Sequence, residues 1–148
     1  MDLLKRLTET YKNYNTRVET KNGTEYFVIL NPFGDENIEV MLDEVIFRFS
    51  FQHAHFDEEE DSLFDYIDDF LSSKQVSFEF FVEGTDSFGG SRYLDEIDTS
   101  SGTALLNSFT DGNKSLYTYL SKKLKGANCR CSIRAWNSTQ NRDIDFTL

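Results

Sequence analysis

Residues 45–52 read Val45-Ile46-Phe47-Arg48-Phe49-Ser50-Phe51-Gln52. Large apolar side chains occupy every second position: Val45, Phe47, Phe49 and Phe51. Ile46, Arg48, Ser50 and Gln52 fall between them. Successive side chains of an extended chain point to opposite faces. A period of two therefore predicts a strand with one buried face and one wetter face, as in an antiparallel sheet covered on one side. The pattern recurs on both flanks. Upstream, beyond a turn near Asp43-Glu44, Ile38, Val40 and Leu42 alternate with Glu39 and Met41. Downstream, Val76, Phe78, Phe80 and Val82 alternate with Ser77, Glu79, Phe81 and Glu83. Asn22-Gly23 separates residues 16–21 from 24–30, and Asn-Gly readily takes the positive φ angles of a two-residue hairpin turn. Phe88-Gly89-Gly90-Ser91 predicts a bulge or a close backbone approach within a strand. Near the end, Cys129, Cys131, Ile133 and Ala135 alternate with Arg130, Ser132, Arg134 and Trp136. Ile144, Phe146 and Leu148 alternate with Asp145 and Thr147.

Helical spacing lies between these strands. Leu3, Leu4, Leu7 and Tyr11 form one apolar stripe. Leu63, Phe64, Ile67, Phe70 and Leu71 form another, inside an acidic helix expected at about residues 57–72, with Asp57 as N-cap and Glu60 completing a capping box. Leu116, Leu120 and Leu124 predict an inward face for a helix at 115–125, with lysines at its C-terminal end and Gly126 beyond it. Residues 94–113 read mostly as loop, with a short helix at 103–109. The expectation is a single α+β domain spanning residues 1–148. It would hold a mainly antiparallel sheet of about six to eight strands, with two to three helices on one face.

The chain has 148 residues and a net charge of −11, with 14 Phe, 7 Tyr and 1 Trp. The charge is segregated. Residues 35–98 hold nineteen acidic and three basic residues, and residues 99–148 hold three acidic and seven basic. Phosphate binding needs Lys and Arg to displace counterions, so nucleic acid and anionic membrane surfaces are poor partners for this chain, and a basic protein is a suitable one. No signal-peptide pattern opens the sequence, and no run approaches the roughly 20 apolar residues of a membrane helix, so a cytoplasmic location is expected. Cys129 and Cys131 share a strand face and do not form a zinc or thioredoxin spacing; two buried reduced thiols are expected.

His53-Ala54-His55-Phe56-Asp57 holds both histidines of the chain. On a continued strand His53, His55 and Asp57 share a face, and imidazoles with a carboxylate suit Zn²⁺ or Fe²⁺. The string resembles the first metal motif of the metallo-β-lactamase superfamily. Glu58 stands where that family has a further histidine, and no other histidine exists to complete the site, so the family is rejected. A metal-binding protein or enzyme using His53, His55 and Asp57 is the alternative reading. The preferred reading has no metal, no cofactor and no catalytic set. No G-x-S-x-G motif or phosphate loop is present. Arg130 and Arg134 can pair across the sheet with Asp143 or Asp145, which leaves Trp136 without a nucleic-acid role.

Residues 38–56, the acidic helix and residues 76–94 resemble, in type, the small acidic immunity proteins that bacteria make against their own toxins. That resemblance implies a protein-binding module that blocks a basic cognate toxin with carboxylates, aided by electrostatic steering. The contact residues it implies are Glu58, Glu59, Asp61, Asp65, Asp68 and Asp69, with Tyr66 as an exposed aromatic anchor. A structural or regulatory protein with no toxin is the remaining alternative.

Overall fold

The computed structural model describes residues 2–57, 61–83, 87–110 and 112–148. Among the described residues, nine strands form two antiparallel sheets, and four α-helices pack on them. The class is α+β as expected, with more strands and one more helix than the sequence pattern suggests.

The first sheet is a meander of β1 (Thr16–Lys21), β2 (Thr24–Ile29), β3 (Ile38–Met41), β4 (Ile46–Phe49) and β5 (Gln52–His55). Asn22 and Gly23 take φ of 51° and 79°, so the expected tight turn joins β1 to β2. Helix α1 (Leu3–Thr10) is capped by Asp2, whose carboxylate accepts the Lys5 N–H at 2.9 Å. Together with α2 (Ser62–Leu71) it covers one face of this sheet. Leu7, Tyr11, Leu63, Ile67 and Phe70 meet Phe27, Val40, Phe47 and Phe49 there.

The segment 45–52 departs from the pattern. The chain reverses at Ser50-Phe51, with Ser50 at φ 50°, and β5 returns along β4 so that Phe49 faces Gln52 and Ile46 faces His55. Ser50 is the one turn-favouring residue of the pair and a weak one, so inside an alternating run the turn is not marked by the sequence. A two-residue reversal flips the parity of the faces. Residues 52 and 54 now lie with Phe47 and Phe49, and His53 and His55 move to the exposed side. Phe51 leaves the first sheet: its N–H donates to Ser77 Oγ at 2.8 Å, and its ring meets Phe81 edge-on at 6.4 Å.

The second sheet has the order β7-β6-β8-β9, formed by β6 (Gln75–Val82), β7 (Phe88–Tyr93), β8 (Asn128–Arg134) and β9 (Arg142–Thr147). Helices α3 (Gly102–Thr110) and α4 (Lys114–Lys123) close its core around Phe78, Phe80, Leu105, Leu106, Leu120 and Cys131. Gly89 sits where a Cβ would meet the Phe78 carbonyl oxygen at 2.7 Å, the expected close approach of two backbones. One inward and one outward assignment are corrected. Leu116 is 41% exposed, because α4 turns Leu120 and Leu124 to the core instead. Trp136 is 3% exposed; it reaches past the second sheet to pack on Phe49, which ties the two cores together.

Candidate functional site

The acidic helix is shorter than expected. It begins at Ser62, preceded by Asp61, whose side chain makes no capping bond. Asp57 lies before the helix and is not its cap. Glu58, Glu59 and Glu60 fall outside the described residues. The apolar stripe is as expected: Leu63, Ile67 and Phe70 are buried, with Phe64 and Leu71 half-buried beside them.

The remaining acidic residues differ in what they touch. Asp61 pairs with Arg6 at 2.9 Å, and Arg6 also stacks over the Phe64 ring at 4.6 Å. Asp68 accepts the phenolic O–H of buried Tyr11 at 3.0 Å, and burial with that carboxylate raises the Tyr11 pKa. Asp65 is exposed, four residues from both Asp61 and Asp69, and makes no hydrogen bond or ion pair among the described residues. Asp69 lies 3.5 Å from the Tyr93 hydroxyl. Tyr66 is not an exposed anchor. Its hydroxyl accepts from Gln52 Nε2 at 2.7 Å and shares a hydrogen bond with Ser91 Oγ at 2.8 Å, and its ring packs on Phe47, Phe56 and Phe70. It joins the two sheets where β5 meets β7.

At the C-terminal end of α2, Ser73, Lys74, Tyr93, Leu94 and Asp95 line a hollow of about 350 Å³. It forms because Ser73 takes φ 59° and turns the chain into β6, while the Leu94 N–H donates to the Lys74 carbonyl and holds a 3₁₀ turn (Leu94–Glu96) against it. Tyr93, 42% exposed, and Leu94 supply apolar wall. Asp95 lines it, Asp69 approaches it through the Tyr93 hydroxyl, and Lys74 is the one cation among the described lining residues. Tyr93, Leu94 and Asp95 were not legible as site residues, because they belong to a strand end and a loop that only the fold brings beside α2.

A larger open hollow, about 820 Å³, lies on the outer face of the second sheet between Phe51, Phe81, Arg130, Arg134, Asp143 and Asp145. Its charges answer one another as expected: Arg130 Nε to Asp145 at 2.7 Å and Arg134 Nη1 to Asp143 at 2.9 Å. These guanidinium hydrogen bonds hold both carboxyls below their ordinary pKa. Cys129 and Cys131 face the core, and burial pushes the Cys131 thiol up to about 12. His53 and His55 are exposed on β5 opposite Arg48 and Ile46. Among the described residues, no group of three His, Cys, Asp or Glu side chains converges on a metal position. Among them, too, no helix is long and apolar enough to cross a membrane.

Comparison with protein-family models, with curated proteins and with solved structures finds no match to this chain.

Proposed function

We propose that this chain is a protein-binding module that receives a basic partner at the C-terminal end of α2, in the manner of an immunity protein covering a basic toxin cleft. One observation carries this reading. Asp68 and Asp69 sit in the last turn of α2, which holds no basic residue. The carbonyl end of a helix is its negative end, so carboxylates there oppose the dipole. Asp61, Asp65 and Asp69 also repeat at intervals of four, and each like-charge pair at that spacing costs about 0.2–0.5 kcal/mol. Arg6 and Tyr11 engage Asp61 and Asp68 within the fold, whereas Asp65 and Asp69 have no cation beside them among the described residues, and a cationic partner supplies one. The adjoining hollow suits the stem of a lysine or arginine, with its apolar methylenes against Tyr93 and Leu94 and its charge toward Asp69 and Asp95.

The test is capture from extract of the source cell at about 0.15 M salt, where the screening length is ~8 Å. Wild type is compared with an Asp65→Lys/Asp69→Lys variant. The expected result is a basic protein that wild type retains, that high salt elutes and that the variant loses. Identical capture by both would remove the acidic face from the reading. If the captured protein is toxic, co-expression of wild type, but not of the variant, restores growth.

A further inference from the structure

The exposed face of α4 plays no part in the core or in the site above. Leu116 and Tyr119 are 41% and 59% exposed and lie three residues apart, so they form one apolar stripe on the outside of the helix. Lys123 completes that stripe, with Nζ 5.7 Å from the Tyr119 ring centroid. Lys122 lies beside it, and Lys114 and Lys125 stand at the two ends. Residues 112–142 hold seven basic residues and no acidic one. Arg130 and Arg134 are paired with carboxylates of β9, whereas none of the four lysines has an ion pair among the described residues. On a chain of net charge −11, this is a basic surface with an apolar centre.

The acidic face of α2 has the complementary character: Asp95 lines the hollow beside the partly exposed Tyr93, Asp69 lies 3.5 Å from the Tyr93 hydroxyl, and exposed Asp65 precedes Asp69 by four residues on α2. The two surfaces belong to different layers of one molecule. Helix α2 packs on the first sheet, and α4 packs with α3 on the second. We infer that the α4 face of one copy docks on the acidic α2 end of another, with Leu116 and Tyr119 against the hollow and Lys122 and Lys123 toward Asp65 and Asp69. The contact joins two unlike surfaces; made reciprocally it gives a two-fold dimer, and repeated head to tail it gives a ring or an open chain. It uses the acidic face invoked for the basic partner but does not require that partner to exist. A basic partner, where present, competes with α4 for the same carboxylates.

The experiment is sedimentation of the purified chain at rising concentration, from about 10 µM to 1 mM, the range of weak contacts. It is run with wild type, with Lys122→Glu/Lys123→Glu, with Asp65→Lys/Asp69→Lys, and with an equimolar mixture of the two variants. All four substituted residues lie on the helix surface, and circular dichroism confirms that the variants fold. Wild type is expected to gain average mass with concentration at about 0.15 M salt and to return to monomer at about 1 M, where screening is nearly complete. Each variant alone stays monomeric. The mixture regains association, because each variant keeps the one surface the other lacks and the two reversed surfaces are themselves opposite in charge. A wild type that is monomeric throughout, association that survives either reversal, or variants that fail to pair when mixed would each overturn the inference. Partner capture that is unchanged while self-association is absent would refute this contact and leave the proposed function standing.

Discussion

Reversing the charge of Asp65 should make the protein more stable while it weakens the proposed interaction. Asp65 is exposed, with Asp61 and Asp69 four residues away and Asp68 three. Like-charge pairs at these spacings cost about 0.2–0.5 kcal/mol each, and opposite pairs gain a similar amount. Asp65→Lys converts three repulsions into attractions, a gross gain of about 1–3 kcal/mol. Two effects reduce it. Asp61 and Asp68 are already engaged by Arg6 and Tyr11. Asp65 also stands in the first turn of α2, where a carboxylate gains about 0.3–1 kcal/mol from the dipole and a lysine loses as much. The net expectation is a small gain, about +0.5 kcal/mol, a rise in Tm of roughly 1–2 °C for a chain of this size. Urea unfolding followed by Trp136 fluorescence measures it, since that buried ring becomes solvated on unfolding. At about 10 mM salt the gain should be full, and at about 1 M, with a screening length of ~3 Å, it should nearly vanish. Stability unchanged or lowered at low salt would refute the claim that the acidic row opposes folding. A gain that persists at 1 M salt would show a non-electrostatic origin.

Ser50→Gly should raise stability by about 0.5 kcal/mol, because Ser50 holds φ 50° and glycine takes that region without a Cβ clash; a lower urea midpoint would contradict the left-handed turn. Arg92→Met should cost about 1.5–3 kcal/mol. The Arg92 guanidinium donates to the Ser108 and Phe109 carbonyls and places a cation at the C-terminal end of α3, so faster hydrogen exchange confined to α3 is the expected signature. Cys131 should resist a thiol reagent at pH 8 in the folded protein and react at once in urea, since its thiol titrates near 12 and is buried. The carboxyls of Asp143 and Asp145 should titrate below 3.8 when followed by NMR. Their folded pKa values are depressed, so their contribution to stability is present above the unfolded value and is lost as pH falls through the folded one. Arg130→Gln should return Asp145 to the ordinary carboxylate range, and a midpoint that does not move would exclude the Arg130 pair as its cause.

Much of this architecture is written locally. Alternation at 76–82 and 129–135 identified β6 and β8, and the apolar faces the pattern named are buried, with Ser77 and Ser132 of the opposite faces buried as well. Asn22-Gly23 identified a turn because its backbone preference is intrinsic to those two residues. The stripe of α2 and the pairing of Arg130 with Asp145 also followed from spacing alone, the latter because directly opposed residues on adjacent strands meet.

What the tertiary structure decided is of another kind. Ser50 enters a left-handed turn because the fold brings Ser77 Oγ to the Phe51 N–H, not because serine prefers that conformation. That one reversal splits an apparent long strand and places His53 and His55 on the exposed side of β5, opposite the face that carries Phe47 and Phe49. The outward rotation of Leu116 was hidden for a similar reason, since Leu116, Leu120 and Leu124 share one spacing and only packing chooses which of them is covered. The acidic surface changed most. Sequence marked its charge and its helix, while the hollow beside it exists because Tyr93, Leu94 and Asp95, about twenty residues downstream, are folded back against Ser73 and Lys74. Charge and periodicity are properties of neighbours in the chain, whereas a binding surface is a property of neighbours in space.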